Sequence, residues 1–338
     1  MRNNHREIRL SEVRNETLST LKSCLGQATK VILVGFPSYT NPGDSMIWLG
    51  TIEYLRMLKI EIVYQCDIGR FEQFFIDEEF PKIPILIQGG GNFGDLWPDF
   101  QEFREKILLN NEDRLILQLP QSIYFVHQER SIESNKIISK HQNFILLVRD
   151  KESHRRAKEL FPSVISKFCP DMAFGLNVKP IEKSIQNQSV AILRQDREKL
   201  ISIESKLSEI KITDWHLNFV HRLQWIFLRA ILISYKRLKF TRIFIKKKHL
   251  EMVYHAMAKI NFESALDILE QAKIMITDRL HAHVLAVLFN IPHVVCDNSY
   301  GKISSIYNDY SGKIANSTLC LDVDNLKMYL EKLKAENL

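Results

Sequence analysis

The residues with the clearest chemical potential form the sequence Thr-Asp-Arg-Leu-His at positions 277–281. They follow an apolar, strand-like run, and apolar residues then recur at three- and four-residue intervals, which predicts a helix. Thr277 and Asp278 are suited to cap that helix, so we expect Arg279 and His281 in its first turn. Such a turn attracts anions through its unpaired N–H groups and the helix dipole. With a guanidinium and an imidazole added, it can bind a phosphate or carboxylate and also transfer a proton.

The same residues have a simpler interpretation, in which Arg279 lies on the surface and His281 lies at the edge of the core. His283 follows two positions later, and residues separated in this way point to different faces of a helix. We therefore expect no metal site shared by the two histidines, and we interpret His283 as structural.

Strand-like and helix-like segments alternate along the rest of the chain, which is the pattern of parallel sheets flanked by helices. The predicted strands are 30–36, 61–65, 83–88, 114–119, 143–148, 190–193, 273–276 and 293–296. The predicted helices of the first half are 44–58, 100–109, 131–140 and 151–160. A polar stretch over 179–189 separates the two series. We predict an α/β fold with two Rossmann-like domains, residues 1–178 and 179–338, facing a cleft.

Candidate ligand-binding residues follow several predicted strands, because ligands of parallel sheets bind at the carboxyl ends of the strands. These residues are Asp44, Asn92, Asp95, Gln121, Arg149 and Arg194. Asp44 follows an Asn-Pro-Gly turn and starts a predicted helix that faces the cleft. A role for Asp44 as the cap of that helix explains its position equally well.

The third strand ends in a formal GxGxxG pattern made by Gly89, Gly91 and Gly94. This pattern alone is weak evidence for a dinucleotide site, and the next strand ends without the acidic residue that would bind a ribose. We expect instead that the backbone approaches a ligand closely here, with Asn92 and Asp95 beside it.

The composition is that of a globular protein, with 45% hydrophobic and 25% charged residues among 338. The five cysteines are scattered and form no CxxC pair, which favours a reducing compartment. The first ten residues resemble no signal peptide, and no apolar run approaches the roughly 20 residues of a bilayer span. We predict a cytoplasmic protein.

A basic and hydrophobic segment covers residues 222–248. It contains nine lysines and arginines, and no acidic residue lies between Asp214 and Glu251. Such a segment can bind an anionic membrane surface, here the inner face of the cell membrane. Alternatively, it is a core helix with a solvated basic flank, followed by a strand near residues 242–245. Nucleic acid is a weaker alternative, because no base-reading motif accompanies the charges.

Eight segments in one order resemble the polysaccharide pyruvyl transferases, particularly the bacterial exopolysaccharide branch. They are GFPSYTNPGD, IQGGGNFGDLWPDFQEFRE, LPQSIYF, LLVRDKES, PDMAFGL, LRQDRE, TDRLHAHVL and DNSYGK. The resemblance covers roughly residues 30–310. It implies a GT-B-like arrangement of the two domains and transfer of a pyruvyl group from phosphoenolpyruvate to a sugar of a glycan or lipid-linked precursor.

The resemblance also implies roles for individual residues. Arg279, Leu280 and His281 match the Arg-Leu-His motif of the phosphoenolpyruvate site, and Arg194 matches a further arginine. Forming a pyruvate ketal requires general acid–base groups, and we expect neither a cofactor nor a metal. We assign His281 as the acid and Asp44, or else Asp95, as the group that orients or deprotonates the acceptor hydroxyls.

Two other functions compete with this assignment. A nucleotide-sugar glycosyltransferase of the GT-B type would bind a nucleotide and would not respond to phosphoenolpyruvate. A non-catalytic, membrane-associated assembly protein would require the segment 222–248 but neither Arg279 nor His281.

Overall fold

A parallel sheet is the scaffold of the first half of the chain, in a computed structural model that describes residues 2–178, 188–195, 203–207, 210–238, 247–297, 301–314 and 316–336. Its strands are β1 (Lys30–Val34), β2 (Glu61–Cys66), β3 (Ile85–Ile87), β4 (Gly90–Phe93), β5 (Ile116–Ile123), β6 (Phe144–Val148) and β7 (Ile165–Phe168). Its helices are α1 (Arg2–Leu25), α2 (Pro42–Met57), α3 (Gln73–Glu79), α4 (Pro98–Leu109), α5 (Gln128–Ile138) and α6 (Lys151–Leu160).

A second parallel sheet is built from the remaining chain. Its strands are β8 (Gln188–Ile192), β9 (Lys211–Thr213), β10 (Ala272–Thr277), β11 (His293–Cys296) and β12 (Ser317–Cys320). The helices are α7 (Phe219–Arg237), α8 (Lys247–Leu269), α9 (Leu280–Phe289), α10 (Lys302–Asp309) and α11 (Leu326–Glu336). None of the helices in the described part of the chain has the length and apolar character that a bilayer span requires.

The two sheets have the same kind of strand order. The first runs β2-β1-β3-β5-β6-β7, with β4 beside β5, and the second runs β9-β8-β10-β11-β12. In each, the chain first adds a strand on one side of the opening strand and then continues on the other side. Ligands of such sheets bind at this reversal. We call the region around β4 and the carboxyl ends of β1, β3 and β5 the first switch point, and the region around the carboxyl ends of β8, β9 and β10 the second.

Alternate residues of each strand pack on opposite faces of its sheet. On β1, Ile32 and Val34 belong to an outer core with the helices α3 to α6, whereas Val31 and Leu33 face a central core. The central core also contains apolar residues of α1, α2, α8 and α9 and of the second sheet. This shared core places the carboxyl ends of β1 and β10 near each other.

The predicted α/β fold with parallel strands is confirmed. The short strands β7, β9 and β12 were not predicted, because their sequences are partly polar and have no long apolar run. The domain boundary at residues 178 and 179 stays a prediction, and the strand expected near residues 242–245 lies outside the described residues.

Candidate active site

The first turn of α2 carries Asp44 at the first switch point. Asn41 caps this helix, since its side chain accepts a hydrogen bond from the backbone N–H of Gly43. The alternative that Asp44 is the cap is therefore wrong. The carboxylate of Asp44 accepts hydrogen bonds from the Tyr39 hydroxyl and the Asn41 amide, both at 2.8 Å. These contacts fix its orientation on the exposed side of the helix start.

His281 lies in the first turn of α9 and packs directly on the first turn of α2. A Cβ atom added to Gly43 would lie 2.4 Å from Nδ1 of His281, well inside van der Waals contact. Only a glycine permits this approach without displacement of one of the helices. The contact joins the two switch points and brings the predicted catalytic residues His281 and Asp44 into one region.

The N-cap of α9 differs in detail from the prediction. Arg279 itself occupies the cap position, and its backbone N–H donates to the hydroxyl of Thr277 at 2.9 Å. That hydroxyl donates in turn to the carbonyl of Ile192 on β8. The prediction that His281 lies in the first helical turn is correct, whereas Arg279 precedes that turn.

A buried carboxylate that the sequence did not single out lies beside His281. Oδ2 of Asp171 is 3.5 Å from Nε2 of His281 and accepts a hydrogen bond from the Arg149 guanidinium at 2.6 Å. Burial would raise the pKa of Asp171, but the charge of Arg149 and the nearby His281 hold it well below its usual value. Asp171 is thus an anion at neutral pH. Its only sequence signal was its place in the PDMAFGL segment.

Arg149 is 2% exposed and donates to Asp171 and to the hydroxyl of Ser122. Its predicted role was substrate binding. Its observed contacts favour a positioning role through Asp171, because the guanidinium is covered by protein.

Two buried polar atoms near the first turn of α2 have no hydrogen-bond partner among the described residues. They are Oε1 of Gln88 and Oδ1 of Asn261. The amide nitrogen of Gln88 donates to the carbonyl of Asp44, and that of Asn261 donates to Ser45. Buried polar atoms are rarely left without a partner, so we expect a bound water or a ligand group to satisfy these two.

The second switch point holds two arginines and two aspartates. The guanidinium of Arg279 donates through Nε and Nη2 to the carboxylate of Asp214, at 2.5 and 2.6 Å. The backbone N–H of Arg194 donates to Asp278 at 2.8 Å. Burial raises the pKa of Asp278, and the positive charges of Arg279 and Arg194 oppose that shift. The predicted anion-binding residues Arg194 and Arg279 therefore lie at the same place. Asp214 was missed because it follows the unpredicted strand β9.

Asn92 and Gln121, two predicted substrate contacts, belong to a buried hydrogen-bond network. The amide oxygen of Asn92 accepts from Gln121 at 2.9 Å and from Arg104 at 3.1 Å. Arg104 also donates to Gln118 and Gln101. Burial lowers the pKa of Arg104 to about 9. This network favours a structural role for both residues, since it engages both polar atoms of the Gln121 side chain and the amide oxygen of Asn92.

The loop that contains Asp95 is held in the same way. The carboxylate of Asp95 accepts from the backbone N–H groups of Val126 and His127, at 2.6 and 2.8 Å, and it contacts the His127 ring. Although burial opposes the effect, these hydrogen bonds lower the pKa of Asp95. Asp95 thus connects β4 to the loop before α5.

Two glycines of the GxGxxG pattern, Gly89 and Gly94, lie close to the protein backbone. A Cβ atom at Gly89 would lie 2.7 Å from the carbonyl of Pro120, and one at Gly94 would lie 1.8 Å from that of Tyr124. At these two positions the backbone approaches β5 and the loop that follows it, and the expected approach to a ligand stays a prediction.

His283 is fully buried and points away from His281, as predicted. Its Nδ1 lies 2.7 Å from Nε2 of His293, and its Nε2 lies 2.7 Å from the hydroxyl of Ser311. Burial lowers the pKa of His283 well below its usual value and that of His293 to about 4. Both rings are neutral at pH 7 and serve the core.

A family profile described as polysaccharide pyruvyl transferase matches residues 41–300 of the chain. The chain belongs to this family. The match confirms the resemblance drawn from the sequence motifs, and it includes both switch points with Asp44, Asp171, Arg194 and His281.

Two relatives carry names of the same kind. EpsO of Bacillus subtilis (strain 168), named as a pyruvyl transferase, is 29% identical over 90% of this chain and 92% of its own length. Pyruvyl transferase 1 of Schizosaccharomyces pombe is 27% identical over 83% of this chain and 69% of its own.

The fold also resembles a solved structure of a Klebsiella pneumoniae protein of uncharacterised function. The two share a TM-score of 0.55 and 16% identity, over 92% of this chain and 99% of the other. At this identity the likeness concerns the fold alone.

Proposed function

We propose that this protein transfers a pyruvyl group from phosphoenolpyruvate to two hydroxyls of a sugar in an exopolysaccharide or its lipid-linked precursor. The product is a pyruvate ketal, and inorganic phosphate is released. The observation that carries the proposal is the contact between His281 and the first turn of α2 at Gly43. It places His281 of the second switch point, the proposed proton donor, against the turn of the first switch point that carries Asp44.

The second switch point suits the donor substrate. Phosphoenolpyruvate carries a carboxylate and a phosphate, and arginines recognise both groups through paired N–H donors. Arg194 and Arg279, with the backbone N–H groups of Leu280 and His281 at the start of α9, supply such donors. Asp214 orients the Arg279 guanidinium through the two hydrogen bonds that it accepts.

The reaction requires protons at defined atoms. His281 donates a proton to the methylene carbon of phosphoenolpyruvate, and the adjacent carbon becomes cationic. The oxygen of an acceptor hydroxyl bonds to that carbon and loses its proton to Asp44. The bond between the carbon and the phosphate oxygen then breaks, and phosphate leaves with its electron pair. A second hydroxyl attacks the same carbon and loses its proton to the neutral imidazole of His281, which closes the ring, and Asp44 returns its proton to the released phosphate.

The buried pair of Arg149 and Asp171 supports the acid. An anionic carboxylate 3.5 Å from the imidazole fixes the orientation of the ring. Arg149 in turn holds Asp171. These two residues act through His281 and are positioning residues.

The first switch point suits the acceptor. Asp44 is oriented by Tyr39 and Asn41, and unsatisfied polar atoms of Gln88 and Asn261 lie nearby. The Asp44 carboxylate can bind sugar hydroxyls. A GT-B-like cleft between the two sheets and a location at the cytoplasmic face of the cell membrane, where lipid-linked precursors are made, complete the proposal.

Phosphate release from phosphoenolpyruvate tests the function, measured with and without a lipid-linked glycan extract for the native protein and His281→Ala. We expect acceptor-dependent release that the substitution lowers by a factor of about 10² to 10⁴, the range for loss of a general acid. His127→Ala is the matched control, because His127 is an exposed histidine. Saturable binding of a nucleotide sugar without phosphate release would instead establish a glycosyltransferase.

A further inference from the structure

The helix α7 exposes an apolar face to solvent. Its outward residues include Phe219 (75% exposed), Leu223 (53%) and Phe227 (66%). Val220, Ile226 and Ile233 are exposed on the same side. At 100° per residue these six positions span a continuous strip along the helix, which we call the outer face of α7. Single exposed apolar residues are ordinary, but a contiguous strip marks a binding surface.

A line of basic residues borders this face. Arg222, Arg229 and Lys236 are exposed and spaced seven residues apart, so they follow one edge of the outer face along the helix. Arg237 extends the positive charge at the end of the helix. No acidic residue occurs on α7. The surface therefore combines an apolar strip with a positively charged edge.

The opposite face of α7 is fixed to the protein. Trp225, Leu232 and Tyr235 are buried in the central core, and the carbonyl of Leu232 accepts a hydrogen bond from Arg70. The cap residue Asn218 donates to Asp267 on α8. Packing of the opposite face therefore fixes the orientation of α7, so that its outer face points to solvent. This agrees with the alternative of a core helix with a solvated basic flank, but the solvated side also carries large apolar residues.

We propose that the outer face of α7 inserts into the headgroup region of an anionic lipid bilayer. Apolar side chains enter the boundary of the acyl chains, while the bordering arginines and lysine contact lipid phosphates. Charge complementarity decides the occupant. A second copy of the chain would bring the same basic edge against this one, and the like charges would repel each other.

Membrane binding through α7 would also position the candidate active site. The helix begins five residues after Asp214, the partner of the Arg279 guanidinium. Docking through α7 therefore brings the donor-binding switch point near the lipid surface. This last step rests on the proposed function, whereas the membrane binding itself does not.

Co-flotation with vesicles tests the binding, using the full chain with phosphatidylcholine vesicles and with vesicles that also contain phosphatidylglycerol. We expect binding to the anionic vesicles only, weakened by salt. Arg222→Gln/Arg229→Gln should lower the partition coefficient about thirtyfold, since each basic residue near such a surface contributes about a factor of five. Lys136→Gln/Lys140→Gln, on and next to α5, changes the net charge equally and should change partition less than about twofold.

The apolar contribution is tested by Leu223→Ser/Phe227→Ser, which should lower the partition coefficient by more than about a hundredfold. Phe74→Ser/Met328→Ser removes exposed apolar residues elsewhere and should leave binding unchanged. Circular dichroism and phosphate release without vesicles show that each variant is folded. Native protein that floats with neither vesicle, or α7 variants that float like the native protein, would overturn the proposal. If the native protein does not float but forms a dimer that the α7 variants dissociate, the outer face of α7 is an interface between two copies of the chain, and the membrane proposal is wrong.

Discussion

The two switch points differ in how their polar side chains are held. At the first, Asn92 and Gln121 bind each other and Asn92 binds the buried Arg104, while the oxygens of Gln88 and Asn261 have no hydrogen-bond partner among the described residues. At the second, the charged groups Arg279 and Asp214 form an ion pair that is still partly exposed. The same strand order thus supports a rigid amide network in one sheet and a cluster of charges in the other.

This difference indicates a structural role for the amide network and a binding role for the charged cluster. Hydrogen-bonded amides fix the backbone of β4 and β5, so that α2 presents its first turn at one place. Charged groups at the ends of β8, β9 and β10 can bind an anionic substrate. Substitutions at the two places should therefore act on different measured quantities.

The largest effect is expected where the two switch points meet. Gly43→Ala places a methyl group 2.4 Å from Nδ1 of His281 and must displace the imidazole. We expect kcat/KM for phosphoenolpyruvate-dependent phosphate release to fall about a hundredfold, because catalytic groups tolerate shifts of about 1 Å poorly. Gly69→Ala is the matched control, since its nearest contact would be an ordinary 3.4 Å. Equal activity of the two variants would show that the position of His281 is not critical.

At the second switch point, Arg279→Lys keeps the charge but removes the paired donors. We expect KM for phosphoenolpyruvate to rise about thirtyfold with a smaller change in kcat, because lysine cannot make the two parallel hydrogen bonds to Asp214 that orient the guanidinium. Steady-state kinetics measure the change, with Arg155→Lys on the surface of α6 as the control. An unchanged KM would remove Arg279 from the donor site.

At the first switch point, Asn92→Ala should act on stability and leave kinetics unchanged. The substitution leaves donors of Arg104 and Gln121 without an acceptor, which lowers the free energy of unfolding by about 1 to 3 kcal/mol. Denaturant unfolding of this variant and of Gln142→Ala, an exposed control, provides the measurement. If Asn92→Ala instead raises KM while stability is constant, Asn92 contacts substrate as first predicted.

The smallest effect concerns the two neutral histidines behind α9. His293 has a pKa lowered to about 4 in the folded protein, against about 6.5 in the unfolded chain. Acidification from pH 7.5 to 5.5 protonates the unfolded chain but not the folded one, so stability falls as the pH falls below 6.5. We expect a loss of about 1 kcal/mol from this residue, measured by unfolding at both pH values. A variant His293→Gln should lose less, and an equal loss would assign the effect to other groups.

The sequence predicted the elements that have a strong local signal. The apolar runs of β1 and β6 are continuous, that of β10 is interrupted only by Lys273, and Gly35 and Pro37 mark the turn after β1. The site residues on α9 were found for the same reason, because a short polar motif interrupts two long apolar segments. The family resemblance added the match of Arg194.

Other parts of the site had no signal of that kind. Asp214 follows the three-residue strand β9, which lacks an apolar run, and Asp171 is distinguished only by its contacts with Arg149 and His281. We predicted that Asn92 binds substrate because the residue type does not distinguish an amide of a structural network from an amide of a binding site. Contacts between residues far apart in the chain decide between these roles, and such contacts cannot be read from the local pattern of a single sequence.

The contact of Gly43 with His281 also bears on how this protein can change through evolution. Each half carries its own sheet, and halves of that kind can be exchanged between relatives in chimaeric proteins. Here His281 from one half occupies the space that a side chain at position 43 of the other would need. We therefore expect an exchange to preserve activity only when the incoming half keeps the glycine. Position 43 of one half is thus constrained by His281 of the other.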